Sequence, residues 1–495
     1  MLVALTMLSA CATFYKKQAD VLDAVYNGNL DKAEALMNDK RWKKPKRNKL
    51  LFYLNKGTVL WMNGKNTESN QYFLKADLFV EDYRKNYATE LASVLINPNY
   101  STYNGEYFEQ ILIHYYATIN FVQLGDLDNA LVACKRMIAT SQRINDLLGK
   151  KNKYSRDAFA HNLLGMIYDA QGDYNNAFIA YKNSLNIYKE DYKPQLGSEI
   201  PLQLKKDILR TAKIIYFSDE VEKYEKEFSL KAELMPEGYA PLVFFWNNGL
   251  GPVKDESSIN FVTYPLQNGF VNFVNVELGL SFPIYVGNAD DRKNITALNI
   301  VRVAWPKYIT RVPTFKNAVL RDSLNNVFKL DLGEDINAIA YKSLDDRMLK
   351  EVGEAILRLA LKQVAIAFAK KENQGAGMAL SILSAVTEKA DTRNWQFLPY
   401  SINYTRAFLP IGKQNIILET SSNKTTEKNN FFVNMEKGKT NFQAFQTLQF
   451  EGFVDKRGNR VEGHKLIVDS CQLIVYSYFL IAHCLLPINS YCTNL

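Results

Sequence analysis

The stretch from Ala158 to Tyr188, AFAHNLLGMIYDAQGDYNNAFIAYKNSLNIY, constrains this chain more than any other. At helical spacing it reads as two short amphipathic helices joined by a tight turn at Gly172-Asp173. Small residues stand where the two helices must touch: Gly165 on the first, Ala177 and Ser184 on the second. Large ones, Leu164, Tyr168 and Tyr181, fill the space between them. One such hairpin cannot bury its apolar face alone, so the pattern predicts like neighbours stacked on it.

The order Leu164-Gly165, Tyr168, Gly172, Ala177, Tyr181 resembles the tetratricopeptide repeat (TPR), a helix-turn-helix unit of about 34 residues. Three weaker copies share its phase. VLDAVYNGNLDKAEALM places Gly28, Ala33 and Met37 at the turn and second-helix positions. LNKGTVLWMNGKNTESNQYFLKAD carries Gly57, Leu60, Gly64, Phe73 and Ala76, and HYYATINFVQLGDLDNALVACKRM carries Phe121, Gly125, Ala130 and Cys134. The turn glycines 28, 64, 125 and 172 are unevenly spaced, so the solenoid is irregular, with extra residues around Asn97 to Tyr107. A further helical pattern, Leu202 to Phe228, caps it. Stacked hairpins leave a concave face lined by the first helix of each pair. Trp61, Met62, Tyr115, Ile119, Asn162 and Met166 are the candidates to line that groove, with packing between repeats the competing role for each. His114 and His161 share one repeat position and read as core or rim histidines, and Cys134 as a small buried hydrophobe.

At 495 residues the chain exceeds what one core usually serves. An apolar fraction of 47% with 23% charged residues is that of a globular protein, not a disordered one. A net charge of +8 spread over this length does not point to nucleic acid. The dense basic run, Arg41 to Lys49, reads as a solvated inter-helix loop or as a contact for an anionic surface. None of the five cysteines stands in a CxxC pair, and four histidines leave little for a metal or acid-base site, so no metal or cofactor is expected.

The first eleven residues, MLVALTMLSAC, form an apolar run too short to span a bilayer. Its end, Leu8-Ser9-Ala10-Cys11, resembles the bacterial lipobox, although no Lys or Arg precedes it. The resemblance implies cleavage before Cys11 and lipidation of its thiol, and Ala12 then fits transfer to the outer membrane. Each buried acyl methylene contributes roughly 0.8 kcal/mol, so a triacylated cysteine is a firm anchor.

Beyond residue 235 the texture changes. Pro236, Gly238 and Pro241 break the helical pattern, and LVFFWNNGLGPVK reads as a buried strand, a Gly-rich turn and a second strand. Asn248 to Pro252 lacks the Lys and Ser/Thr of a phosphate loop. FVNFVNVELGLSFPIYVG and ALNIVRVAWPKY continue as strands, helices are expected at Ser343 to Lys371 and Ala376 to Lys389, and IGKQNIILET and NNFFVNM are strands again. The lipobox, the repeats, NGLGPVK and ADTRNWQFLP together resemble a family of bacterial TPR-containing lipoproteins of unknown function, over most of the chain to about residue 450. Within ADTRNWQFLP, Asp391, Arg393 and Trp395 support two readings. In one, Asp391 pairs with Arg393 under Trp395 and locks a turn onto the sheet; in the other, the three form a recognition patch for an anionic or glycan ligand. Asp391 as a catalytic acid has no visible base, nucleophile or metal partner.

The expected organisation is a lipoprotein signal and lipidation cysteine at 1–11 and a TPR-like α-solenoid at 12–235. A β-rich α+β domain at 236–465 and an apolar tail at 466–495, a membrane segment or an out-of-frame terminus, complete it. The expected function is a non-catalytic, lipid-anchored scaffold. It faces the periplasm from the outer membrane and binds envelope proteins through its groove, with no nucleic acid and no small-molecule cofactor. The alternative is a cell-wall enzyme or glycan-binding factor working through the α+β domain.

Overall fold

The computed structural model describes residues 19–39, 46–85, 101–148, 156–286, 300–372 and 390–461. Cys11 and the signal segment, most of the basic run, the helix expected at Ala376 to Lys389, and the apolar tail lie outside the described residues.

Five helix hairpins stack in sequence order. They pair α1 (19–26) with α2 (Leu30–Asn38), α3 (Lys49–Met62) with α4 (Asn66–Lys85), and α5 (Tyr107–Gln123) with α6 (Leu127–Leu148). They continue with α7 (Ala158–Ala170) and α8 (Tyr174–Ile187), then α9 (Leu202–Ile214) and α10 (Ser218–Phe228). The further helical pattern expected to cap the solenoid, Leu202 to Phe228, is thus a fifth hairpin. Its turn has no glycine; Tyr216 takes the left-handed backbone there, at φ 57°. In the central hairpin Gly172 turns at φ 78°, and Asp173 then caps α8 by accepting from the Asn176 amide at 3.1 Å. Asn29 and Asp126 follow their turn glycines and cap α2 and α6 in the same way. Gly165 is small because the Tyr181 ring lies against it: an added Cβ would sit 2.5 Å from that ring.

Among the described residues the second half is built of three sheets. Strands β1 (Tyr239–Asn248), β8 (Asp331–Asp335), β9 (Ser401–Pro410) and β12 (Asn441–Gln446) form a sheet ordered β12-β1-β9-β8. Its β1–β12 pair is parallel and its other pairs are antiparallel. Strands β6 (Asn317–Arg321), β7 (Val327–Lys329), β10 (Gly412–Ser421) and β11 (Thr426–Met435) form a second sheet ordered β11-β10-β6-β7. The third runs β14-β13-β5-β2-β3-β4. Its strands are β2 (Val253–Pro265), β3 (Phe270–Asn275), β4 (Leu280–Tyr285), β5 (Ile300–Pro313), β13 (Phe450–Val454) and β14 (Arg460–Val461).

The continuous apolar run of β1 is explained by burial on both faces. Leu242, Phe244 and Trp246 point into a sandwich core shared with Leu320, Leu409, Ile416 and Leu418. Val243 and Phe245 point the other way, into one core with the helices. The chain is therefore layered helices, sheet, sheet, and the first sheet is the shared middle layer. On the third sheet lies α11 (Ile336–Glu372), which packs Val352, Ala355 and Ile356 against Phe261, Phe273 and Val303. It begins seven residues before the expected helix, where the Asp335 carboxylate accepts from the Ala338 amide at 2.8 Å. β1 and β2, the strands read on either side of a Gly-rich turn, belong to different sheets, and Gly249 at φ 61° lets the chain pass from one to the other.

Candidate functional site

The inner helices α3, α5, α7 and α9 face the middle sheet and the segment before β9. The Trp395 side chain packs beside the stacked rings of Phe73 and Tyr116, with ring centroids 5.9 and 5.4 Å away, and its indole N–H donates to Thr58 Oγ1 at 3.1 Å. Tyr115 donates to Asn247 Oδ1 on β1 at 2.8 Å. Phe159 on α7 meets Phe245 and Tyr404. It also rests on Gly333 of β8, where a Cβ would come within 2.6 Å of its ring. Tyr188 and Tyr192 donate to Gly333 O at 2.6 Å and to Glu334 Oε1 at 2.9 Å.

This settles the position of the six groove candidates. Trp61, Tyr115, Ile119, Asn162 and Met166 are buried and Met62 is half-buried, all in or against the core that the helices share with the β-part. The face expected to hold a partner is filled by the chain itself. A surface of Tyr, Phe and Trp this large costs free energy if left in water, and the middle sheet supplies the apolar cover.

Two buried polar networks pin the halves together. In the first, Arg406 of β9 reaches Asp169 Oδ2 at 2.9 Å, Asp207 Oδ1 at 2.8 Å and the Tyr181 hydroxyl at 3.0 Å. Arg210 bridges the same two carboxylates. Two positive and two negative charges cancel in a buried site. Burial opposes the Arg406 charge, but Asp169 and Asp207 overcome it and raise its pKa above the ordinary arginine value.

In the second network Glu109 is fully buried. It accepts from the Trp395 amide at 2.7 Å, the Glu106 amide at 3.0 Å and the Tyr103 hydroxyl at 2.5 Å. Burial and the neighbouring Glu106 push its carboxyl up to about 7. Glu106 is buried too, but it is ion-paired to Lys254 and Arg347, which overcome the burial and hold it at about 2. Two carboxyls three residues apart are thus driven in opposite directions by what faces them.

Asp391 and Arg393 do pair, at 2.7 Å. Arg393 also donates to Ser101 O at 3.0 Å and Asn48 Oδ1 at 3.2 Å, and it is only 5% exposed. Trp395 does not cover this pair against the sheet; it enters the helical stack. With Arg393 and Trp395 buried, the three do not form the open recognition patch weighed from the sequence.

Of the repeat residues, Ala130, Ala177 and Tyr181 are fully buried, and Gly57 lies against Phe73 as Gly165 lies against Tyr181. Gly64 and Gly125 turn with positive φ. Leu164 and Tyr168, expected between the two helices of their hairpin, are only half-buried, and Lys135 of the preceding hairpin stands 5.6 Å above the Tyr168 ring. His114 is buried beside Thr140 Oγ1 at 3.2 Å, and burial lowers its pKa despite Asp77 at 3.6 Å. Cys134 is buried, with its thiol on Ala160 O. Among the described residues no three His, Cys, Asp or Glu side chains converge as metal ligands. None of their helices is long and apolar enough to cross a membrane.

Sequence reading passed over Arg406, Asp169, Asp207, Arg210 and Glu109. One signal was present: a lone charge inside an otherwise apolar strand, as in SINYTRAFLP and YITRVP, demands a buried partner. Arg311, the second case, donates to Gly251 O at 2.7 Å and to the Tyr26 hydroxyl of α1 at 2.9 Å.

No family model matches the chain, and no curated protein matches it. Among the solved structures that it resembles is one with TPR-like repeats. MamA from Desulfovibrio magneticus RS-1 is 14% identical with a TM-score of 0.28, covering 44% of this chain and 91% of that one. A kinesin light chain of Podosopora anserina with nearly identical TPR-like repeats is 12% identical with a TM-score of 0.30, covering 44% and 94%. The Rap conjugation gene regulator of the plasmid pLS20, in complex with the Phr* peptide, is 12% identical with a TM-score of 0.26, covering 44% and 54%. At such scores these likenesses carry no weight beyond the hairpin contacts already described.

Proposed function

We propose that this protein is a non-catalytic scaffold of the bacterial envelope, tethered by a lipid on Cys11 and facing the periplasm from the outer membrane. The observation that carries the proposal is the filled inner face, where Trp395, Phe245, Tyr404 and Arg406 occupy what open helical repeats leave for a ligand. A stack braced in this way holds its outer helices in fixed positions, and a fixed display of surface side chains is what a scaffold offers to protein partners. The partners accordingly meet the outer layer, where Leu78 on α4, Val132 on α6 and Ile179 on α8 are about half exposed. The alternative of a cell-wall enzyme has less support, since the Asp391 carboxylate is committed to Arg393 and held below its ordinary pKa despite burial.

Metabolic labelling with a fatty-acid analogue tests the tether: label is expected on the native chain and absent from Cys11→Ser, which is released from the membrane. Photo-crosslinkers at Val132 and Ile179 are expected to capture envelope proteins, while one at Tyr115 captures only residues of its own chain near Asn247. Capture of another protein from Tyr115, or label surviving in Cys11→Ser, contradicts the proposal.

A further inference from the structure

Each of the three sheets ends in two edge strands, and five of those six edges are blunted. α5 packs against β12. The helical half reaches β8, with the Tyr188 hydroxyl donating to Gly333 O and the Gln203 backbone amide donating to the Asp331 carboxylate. β7 and β14 are three and two residues long. β4 is six residues long and carries Pro283 in its middle. β11 is different. It runs ten residues without Pro or Gly and pairs with β10 in unbroken register from Met435 to Thr426. No described strand lies on its other side, and Phe432 on its outer face is 83% exposed.

We propose that β11 is a homodimer interface, at which a second copy of this chain pairs antiparallel with it about a twofold axis at Phe432. A twofold axis perpendicular to a sheet keeps each side chain on its own face, so residues on the two copies meet when their numbers sum to an even total. The register summing to 864 centres on Phe432 and matches what is there. Asn430 faces Asn434, amide to amide, on the outer face; Phe431 faces Val433 on the inner face and prolongs the sandwich core. One residue past the strand end Glu436 faces Lys428, so two ion pairs flank the axis symmetrically. Lys428 and Glu436 are exposed; Lys428 pairs with Glu419, and Glu436 with Lys439 and the Asn434 side-chain amide. Shifting the axis to Phe431 or Val433 sets Lys428 against Asn434 or Gly438 and loses the Lys428–Glu436 match. The product is one eight-stranded sheet crossing the dimer, β7-β6-β10-β11 continued by its copy in reverse order.

Sedimentation equilibrium on the full chain carrying Cys11→Ser, which keeps it in solution, tests this. The expected species is twice the 56.6 kDa monomer, with the β11 amides of residues 429–435 exchanging more slowly as concentration rises. Phe432→Lys sets two ammonium groups together at the axis and yields monomer with an unchanged circular dichroism spectrum, as befits a position so exposed. Lys428→Glu raises the dissociation constant about tenfold or more, and adding Glu436→Lys restores it. A native chain that stays monomeric, a dimer indifferent to Phe432→Lys, or no rescue by the charge swap overturns the proposal. So does a foreign strand recovered on β11 in place of a second copy.

Discussion

At Glu109 a carboxyl without solvent contact receives donors from Trp395, Glu106 and Tyr103 while another acid stands three residues away. Its pKa of about 7 in the folded chain lies above the ordinary 4.5. The stabilising contribution of the neutral acid is therefore whole below pH 4.5 and is lost as the pH rises through 7. A shift of this size corresponds to about 3 kcal/mol. Asp157, buried at the start of α7 and raised to about 6, acts in the same direction. Glu106 acts oppositely: held at about 2 by Arg347 and Lys254 against its burial, it contributes above pH 4.5 and the contribution is lost on acidification toward 2. Burial depresses His114 and His161, which add stability as the pH rises, so the signal is a difference: between pH 5 and 8 the urea midpoint of the native chain is expected to fall relative to that of Glu109→Gln. An unchanged slope in the variant would assign the effect elsewhere.

Among the elements, the hairpins depend on two different properties of glycine. At Gly165 the constraint is space, because a methyl group meets the Tyr181 ring; at Gly172 it is backbone sign, because nothing lies within 4 Å of an added Cβ and φ is +78°. Gly165→Ala is expected to cost about 1–3 kcal/mol by overpacking. Gly172→Ala is expected to cost about 1–2 kcal/mol by strain. Replacing Tyr181 with Leu eases the first substitution and leaves the second unchanged, which equilibrium unfolding of the double variants measures. These positions were legible in the sequence because their cause is local, a turn or a neighbour one helix away. The turn at Tyr216 was not, since nothing in its residue type announces a left-handed conformation. The run LVFFWNN was legible as a buried strand, but which strands would flank it was not, for its partners Phe408 and Phe442 lie more than 150 residues away. The Asp391–Arg393 pair was readable at a spacing of two. The path of Trp395 to Thr58 was not, because a large aromatic suits a groove, a sheet face or a core equally well.

For the whole molecule the consequence is that the helical half and the β-part share one core. The residues proposed to grip a ligand serve instead to join them. The same side chains fit both roles, so only the long-range contacts decide between them. Arg406 concentrates the coupling, since it lies on β9 and neutralises carboxylates on α7 and α9. Removing one partner of such a buried set leaves charge uncompensated, at a cost of about 3–5 kcal/mol. The most direct test follows urea unfolding of the full chain with two probes, helical circular dichroism for the stack and hydrogen-exchange protection of the β10 amides for the sandwich, in the native chain and in Arg406→Leu. The two curves are expected to coincide in the native chain and to move together in the variant. Separate transitions in the native chain, or a shift confined to one probe in Arg406→Leu, would show two independent halves and an inner face free to open.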